Sequence, residues 1–163
     1  MNKKIFIIYY SWSGNTGNIA KLIQQETGSQ LFEVNPVQSY PINYGVCVEQ
    51  AKKEIYSGFM PKLEAIPDNL DSYDIIFIGT PIWWHTMAPP VFTFLSHVDL
   101  SGKTVVPFCT HGGGGKGDCI NDIAKLCKNS IILDELEMYG DGGKSARLDV
   151  QAWLNRIGIK ENL

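Results

Sequence analysis

No run of apolar residues in this 163-residue chain approaches the roughly 18 that a membrane-spanning helix needs. No cysteine pair has the C-x-x-C spacing of a redox or zinc motif. Cys47, Cys109, Cys119 and Cys127 are scattered, as expected of reduced thiols in the core or at the surface. A phosphatase loop would need Cys-x5-Arg, and the residues six after Cys109 and Cys119 are Gly115 and Lys125. His85, His97 and His111 lack metal-ligand spacing. A net charge of −3, a pI near 5.6 and no basic stripe with interleaved aromatics leave no footprint for nucleic acid. Linkers, low-complexity tracts and internal repeats are missing too, so residues 1–163 are expected to form one domain. The N-terminal MNKKIFIIYYSWSGNT has a short apolar stretch but no small-residue cleavage site, and reads as a strand. With no export signal, the expected compartment is the cytoplasm.

What is present is an alternation of two kinds of segment. Apolar, β-branched runs at 4–10 (KIFIIYY), 30–35, 74–79 (DIIFIG), 104–110 (TVVPFCT) and 130–137 (SIILDELE) predict strands. The first and third are nearly continuous in apolar residues, as in strands covered on both faces. Helical spacing follows each run, at 16–27, 44–58, 89–98, 118–128 and 146–157. Val48, Ala51 and Ile55 share one face of the second of these helices. Pro89 and Pro90 suit a first turn, Asp118 is a candidate N-cap and Gly158 a stop. Five strand–helix repeats predict an α/β fold: a doubly wound, five-stranded parallel sheet in three α/β/α layers with right-handed crossovers. Ligands of such sheets bind beyond the C-terminal ends of the strands, near the switch in strand order. The loops to weigh are therefore 11–16, 80–87 and 110–117.

Loop 11–16, SWSGNT, crowds Ser11, Ser13, Asn15 and Thr16 around Gly14 at a strand-to-helix junction, with neither lysine nor arginine. A helix N-terminus with free N–H groups and added hydroxyl donors suits a small anion such as a phosphate monoester. A single residue would suffice to cap the helix. Loop 80–87, TPIWWHTM, sets Trp83 and Trp84 at a strand end, where rings suit stacking on a flat heterocycle. Adjacent residues of an extended chain point opposite ways, so the two are not expected to share one core. His85 reads as an ordinary exposed polar residue. Loop 110–117, THGGGGKG, contains Gly112-x-Gly114-x-x-Gly117, but the dinucleotide fingerprint belongs to the first strand-turn-helix, already occupied by 11–16. Gly117 after Lys116 excludes a Walker loop. The glycines point to backbone that approaches a ligand closely. A phospho-receiver domain is excluded as well, since Tyr10–Ser11 and Thr80 stand where its acidic residues would be.

The segment SWSGNT resembles the FMN phosphate loop of the flavodoxins, T/S-x-T/S-G-x-T, and the five repeats extend the resemblance over the whole chain. The uninterrupted run 130–137 resembles the short-chain type. YDIIFIGTPIWW and VFTFLSHVDLSGKTVVPF are similar to a flavodoxin-like branch that includes NAD(P)H-dependent oxidoreductases. The resemblance implies that Ser11, Ser13, Gly14, Asn15 and Thr16, with Trp12 between them, hold the phosphate of FMN. It implies that Thr80, Pro81, Ile82, Trp83 and Trp84 line one side of the isoalloxazine. Thr110, His111, Gly112 and Gly113 would line the other side and the pyrimidine edge.

By the same resemblance the chain is an FMN-binding flavodoxin, a low-potential electron carrier meeting redox partner proteins transiently as a monomer. It has no catalytic residue of its own, no metal, and no nucleic-acid or membrane partner. The alternative on the same fold is an NAD(P)H-dependent FMN/quinone oxidoreductase. The chain departs from the family pattern in three places. No glycine follows Gly79 in the second loop, where flavodoxins usually place one whose peptide turns toward flavin N5. A charge of −3 is mild for such carriers, and the third loop has His111 and glycines in place of an acidic, aromatic stretch.

Overall fold

A computed structural model describes residues 2–160. The strands β1 (Ile5–Tyr9), β2 (Gln30–Glu33), β3 (Ile75–Trp83) and β5 (Thr104–His111) run parallel in the order β2-β1-β3-β5. β6 (Ile131–Ile132) and β7 (Leu136–Tyr139) complete the far edge, both parallel to β5. Five helices cover the faces: α1 (Asn15–Thr27), α2 (Tyr44–Ser57), α3 (Pro89–His97), α4 (Cys119–Leu126) and α5 (Ala146–Arg156). Among the described residues no helix is long and apolar enough to cross a membrane.

Strand pleating splits the core in two. Ile5, Ile7 and Tyr9 of β1 point to one face with Ile75 and Phe77, where α1 and α5 contribute Ile19, Ile23, Val150 and Trp153. Phe6, Ile8, Ile76 and Ile78 point to the other, against Cys47 of α2, Phe94 of α3 and Ile123 of α4. That double burial is why β1 and β3 are apolar without interruption.

Two elements differ from the sequence expectation. The run 130–137 is not one strand. β5 pairs with β6 through Val105↔Ile132 and with β7 from Phe108↔Leu136, so three edge residues span the space of two. The cause is Pro107. The Val105 carbonyl accepts the Leu133 N–H, so this side of β5 faces the edge strand. Two residues on, Pro107 faces the same way with no N–H to donate, and the ladder breaks there. The second difference lies in 80–87. β3 continues to Trp83, and a two-residue turn through Trp84 (φ 49°) and His85 (φ 66°) returns the chain as β4 (Thr86–Met87). Asp118, expected to cap α4, makes no capping bond with its side chain. Its N–H instead donates to the His85 carbonyl at 2.7 Å.

Gly79 lies between Tyr9 of β1 and Phe108 of β5, and a Cβ there would come within 2.1 Å of the buried Phe108 ring. Only hydrogen at that position lets the ring lie across β3. Gly79→Ala should therefore cost about 1–3 kcal/mol in urea unfolding, and Phe108→Leu in the same chain should recover part of the loss. A neutral Gly79→Ala would mean that the ring moves aside freely.

Candidate functional site

β1 pairs with β2 on one side and with β3 on the other, so the strand order reverses at β1. At the C-terminal ends of these strands the three expected loops and α2 enclose a cavity of about 510 Å³. A more apolar cavity of about 280 Å³ lies behind the β3–β4 hairpin, between α2, α3 and α4. It is away from the strand ends and receives none of the converging loops, so the larger cavity is the candidate site.

The first loop ends in a helix start with no side-chain cap. Gly14 occupies the N-cap in a left-handed conformation (φ 96°), which its lack of a Cβ permits. The Ser11 hydroxyl oxygen accepts the N–H groups of Gly14 (3.2 Å) and Gly17 (3.1 Å) and closes the turn from behind. The first N–H groups of a helix have no partner within it. Ser11 takes that of Gly17, so those of Asn15 and Thr16 stay free of the cap, while the Ser13 and Asn15 side chains line the cavity. The Thr16 hydroxyl is buried and bonds the Thr110 hydroxyl at 2.7 Å, tying α1 to the end of β5.

The second loop supplies Pro81, Ile82, Trp83 and Trp84 to the wall. Trp83 is gripped edge-on by Tyr10 (5.7 Å between centroids, 85°) and Tyr40 (4.9 Å, 82°). Trp84 leans the other way. Its indole N–H donates to the Val48 carbonyl of α2 at 2.9 Å, and the Lys52 ammonium sits 5.0 Å from its ring centre. Thr80 is fully buried beneath the hairpin, donating to the Pro81 carbonyl and accepting the Ala88 N–H.

The third loop brings Thr110, His111 and Gly112 to the wall. His111 Nδ1 accepts the Gly113 N–H at 3.0 Å, so its proton is assigned to Nε2, which lies 3.2 Å from Glu137. Gly117 is left-handed (φ 53°), and a Cβ on it would meet the His85 carbonyl at 2.5 Å. The hairpin tip and the glycine-rich loop are thus pressed together.

Among the described residues no Asp, Glu, Lys or Arg lines this cavity. A buried hydroxyl and two buried thiols beside it favour their neutral forms. Burial raises the Tyr40 hydroxyl well above its usual range, helped by its 2.6 Å bond to the Glu54 carboxylate. Burial, with the Glu54 charge second, also raises the Cys47 thiol, and burial pushes Cys109 up to about 12. All four cysteines are free and buried.

Of the residues expected at the site, Ser11, Gly14, Thr16, Thr80 and Gly113 shape the cavity from behind and do not line it. The α2 wall of Tyr44, Cys47, Val48 and Ala51 is not among the residues expected from sequence, nor is His85, whereas Gly114 and Gly115 fall in the glycine-rich loop expected to approach a ligand. The four α2 residues recur at i, i+3, i+4 and i+7, the spacing of any helix face that packs inward. Among the four only Cys47 and Ala51 are buried.

The Thr16–Thr110 pair can be tested directly. Thr16→Val preserves shape but strands the buried Thr110 hydroxyl, so it should cost about 1–3 kcal/mol in urea unfolding. The double variant with Thr110→Val should cost less than the sum of the singles, because no orphan remains. Strict additivity would show that the two hydroxyls are not coupled.

A flavodoxin family model matches residues 4–157. Flavodoxin 1 of Escherichia coli is 28% identical over 106 residues, covering 63% of this chain and 46% of the relative. The chain thus spans about half the length of the curated relatives it matches. A protein of known structure from Bacteroides eggerthii has a TM-score of 0.84 at 28% identity, covering 98% of this chain and all of the other. A flavoprotein from Lactobacillus acidophilus in complex with FMN has the same fold (TM-score 0.71, 24% identity, 93% and 98% covered). The chain belongs to the flavodoxin family.

Proposed function

We propose that this chain binds FMN in the 510 Å³ cavity and carries electrons between redox proteins. One observation carries the reading: a cation-free helix start opens into a neutral, aromatic-walled cavity at the switch point. A phosphate monoester suits the turn. The N–H groups of Asn15 and Thr16 and the side chains of Ser13 and Asn15 converge there, and helix N-termini favour negative charge. A flat, uncharged ring system suits the remainder. Trp83, fixed by Tyr10 and Tyr40, would offer it a face, and Thr110 to Gly112 would offer polar backbone to its edge. FMN has both parts, and the family and the FMN-bound Lactobacillus protein of the same fold support it.

When bound, FMN supplies the one- and two-electron redox chemistry. The chain's contribution is to hold the phosphate, orient the ring and exclude water. A wall without formal charge offers no cation to offset added negative charge on the ring, which favours a low potential.

The carrier reading is preferred to a nicotinamide-dependent oxidoreductase on the same cavity. A dinucleotide brings a pyrophosphate, and the helix start at 11–16 that would receive it is already taken by the FMN phosphate in this reading. The experiment is rapid mixing of the FMN-loaded protein with NADH or NADPH, followed at the flavin absorbance band. A carrier should lose that band slowly and without saturation in nucleotide, while dithionite bleaches it at once. Fast bleaching that saturates with either nucleotide would establish the oxidoreductase.

A further inference from the structure

Eight of the eleven exposed large hydrophobic residues among those described fall between Val37 and Ile66, in α2 and its flanking loops. Ile42 (95% exposed), Tyr44 and Val46 stand at the start of the helix, and Tyr56, Phe59 and Met60 at its end. At roughly 150–250 Å² for a fully exposed ring, Tyr44, Tyr56 and Phe59 alone offer about 300–500 Å², a large part of the roughly 800 Å² per side of a standard-size interface. The charges of this segment cancel, with Lys52, Lys53 and Lys62 against Glu49, Glu54 and Glu64, although the chain carries −3.

The order of residues on the outer face says more than their number. Gly45, Glu49, Lys52 and Tyr56 are all exposed and spaced i, i+4, i+7, i+11, which makes them one stripe of the helix. The middle of α2 lies between Gln50 and Ala51. A two-fold axis through that point would run two copies of α2 antiparallel, with every position facing its mirror about the midpoint. Glu49 then faces Lys52 of the second copy, and Lys52 faces its Glu49. Tyr56 falls on Gly45, where an added Cβ would meet only the Asn43 side-chain oxygen, at an ordinary contact distance of 3.5 Å. The stripe is therefore complementary to itself in charge and in size.

We propose that α2 is a self-association surface, through which two copies of this chain pair antiparallel about the helix midpoint. The inference stands on the α2 surface alone and does not depend on the cofactor. Because Tyr44 and Val48 also line the cavity, the interface would border both cavity mouths.

Sedimentation velocity of the full chain at about 1–100 µM decides it, since a standard-size interface of modest quality dissociates in or below this range. The unmodified protein should sediment as a dimer of the 18.2 kDa chain. Glu49→Lys sets like charges opposite each other at two symmetric positions, and Tyr56→Glu removes the ring facing Gly45. Each should raise the dissociation constant about tenfold or more. The exchange Glu49→Lys with Lys52→Glu restores both pairs in reverse and should restore the dimer. All three positions are exposed, and unchanged thermal melting would exclude misfolding. A monomer at about 100 µM overturns the proposal. So does a dimer that either single substitution leaves intact, or an exchange variant that remains monomeric.

Discussion

β1 is hydrogen-bonded in parallel to β2 on one side and to β3 on the other, and the site depends on that placement. Two parallel neighbours oblige the chain to leave β1 in one direction and later return on the opposite side. The loops after β1 and β3 therefore part at the top of the sheet and leave a crevice. Flavodoxin is itself a standard instance of this rule. The first turn delivers the start of α1 to the crevice, with its N–H groups aimed outward. Burial of β1 and β3 on both faces then fixes where the crevice can be, because neither strand can slip without moving its apolar residues out of two cores.

Around that crevice the loops are tied to one another more than to solvent. The His85 carbonyl accepts the Asp118 N–H, the Trp84 indole bonds the Val48 carbonyl, and Thr86 bonds Asp122 at 2.6 Å. These contacts hold Trp84 and His85 in left-handed backbone that non-glycine residues rarely adopt. A hairpin fixed in this way lacks the freedom a glycine would give the second loop. The walls are preorganised and hold no carboxylate, lysine or arginine among the described residues, with the nearby carboxylates of Glu54 and Glu137 engaged by Tyr40 and His111.

Much of this was legible in the sequence. The doubly buried strands read as continuous apolar runs, and the loops at 11–16, 80–87 and 110–117 read as the walls of a cavity at the strand ends. The parts that were not legible share a physical reason. Nothing in TPIWWHTM announces a two-residue hairpin, since its left-handed turn is held by tertiary bonds and not by Asn-Gly or glycine. The break in the edge strand was written in Pro107, but its effect appears only once the side of β5 that Pro107 faces is known. The α2 wall was hidden because a helix that closes a cavity has the same periodicity as one that closes a core. The bond between Thr16 and Thr110 joins segments 94 residues apart, a pairing no local pattern encodes.

The central claim is that a turn without a cation holds a phosphate through backbone dipoles and neutral donors. Isothermal titration of the protein with FMN and with riboflavin, which differ only in that phosphate, tests it most directly. FMN should bind at least about a hundredfold more tightly, the equivalent of one or two charge-assisted hydrogen bonds, and added salt should close little of the gap. Equal affinity for the two flavins would contradict the account, because it would mean that the turn at 11–16 caps a helix and holds nothing.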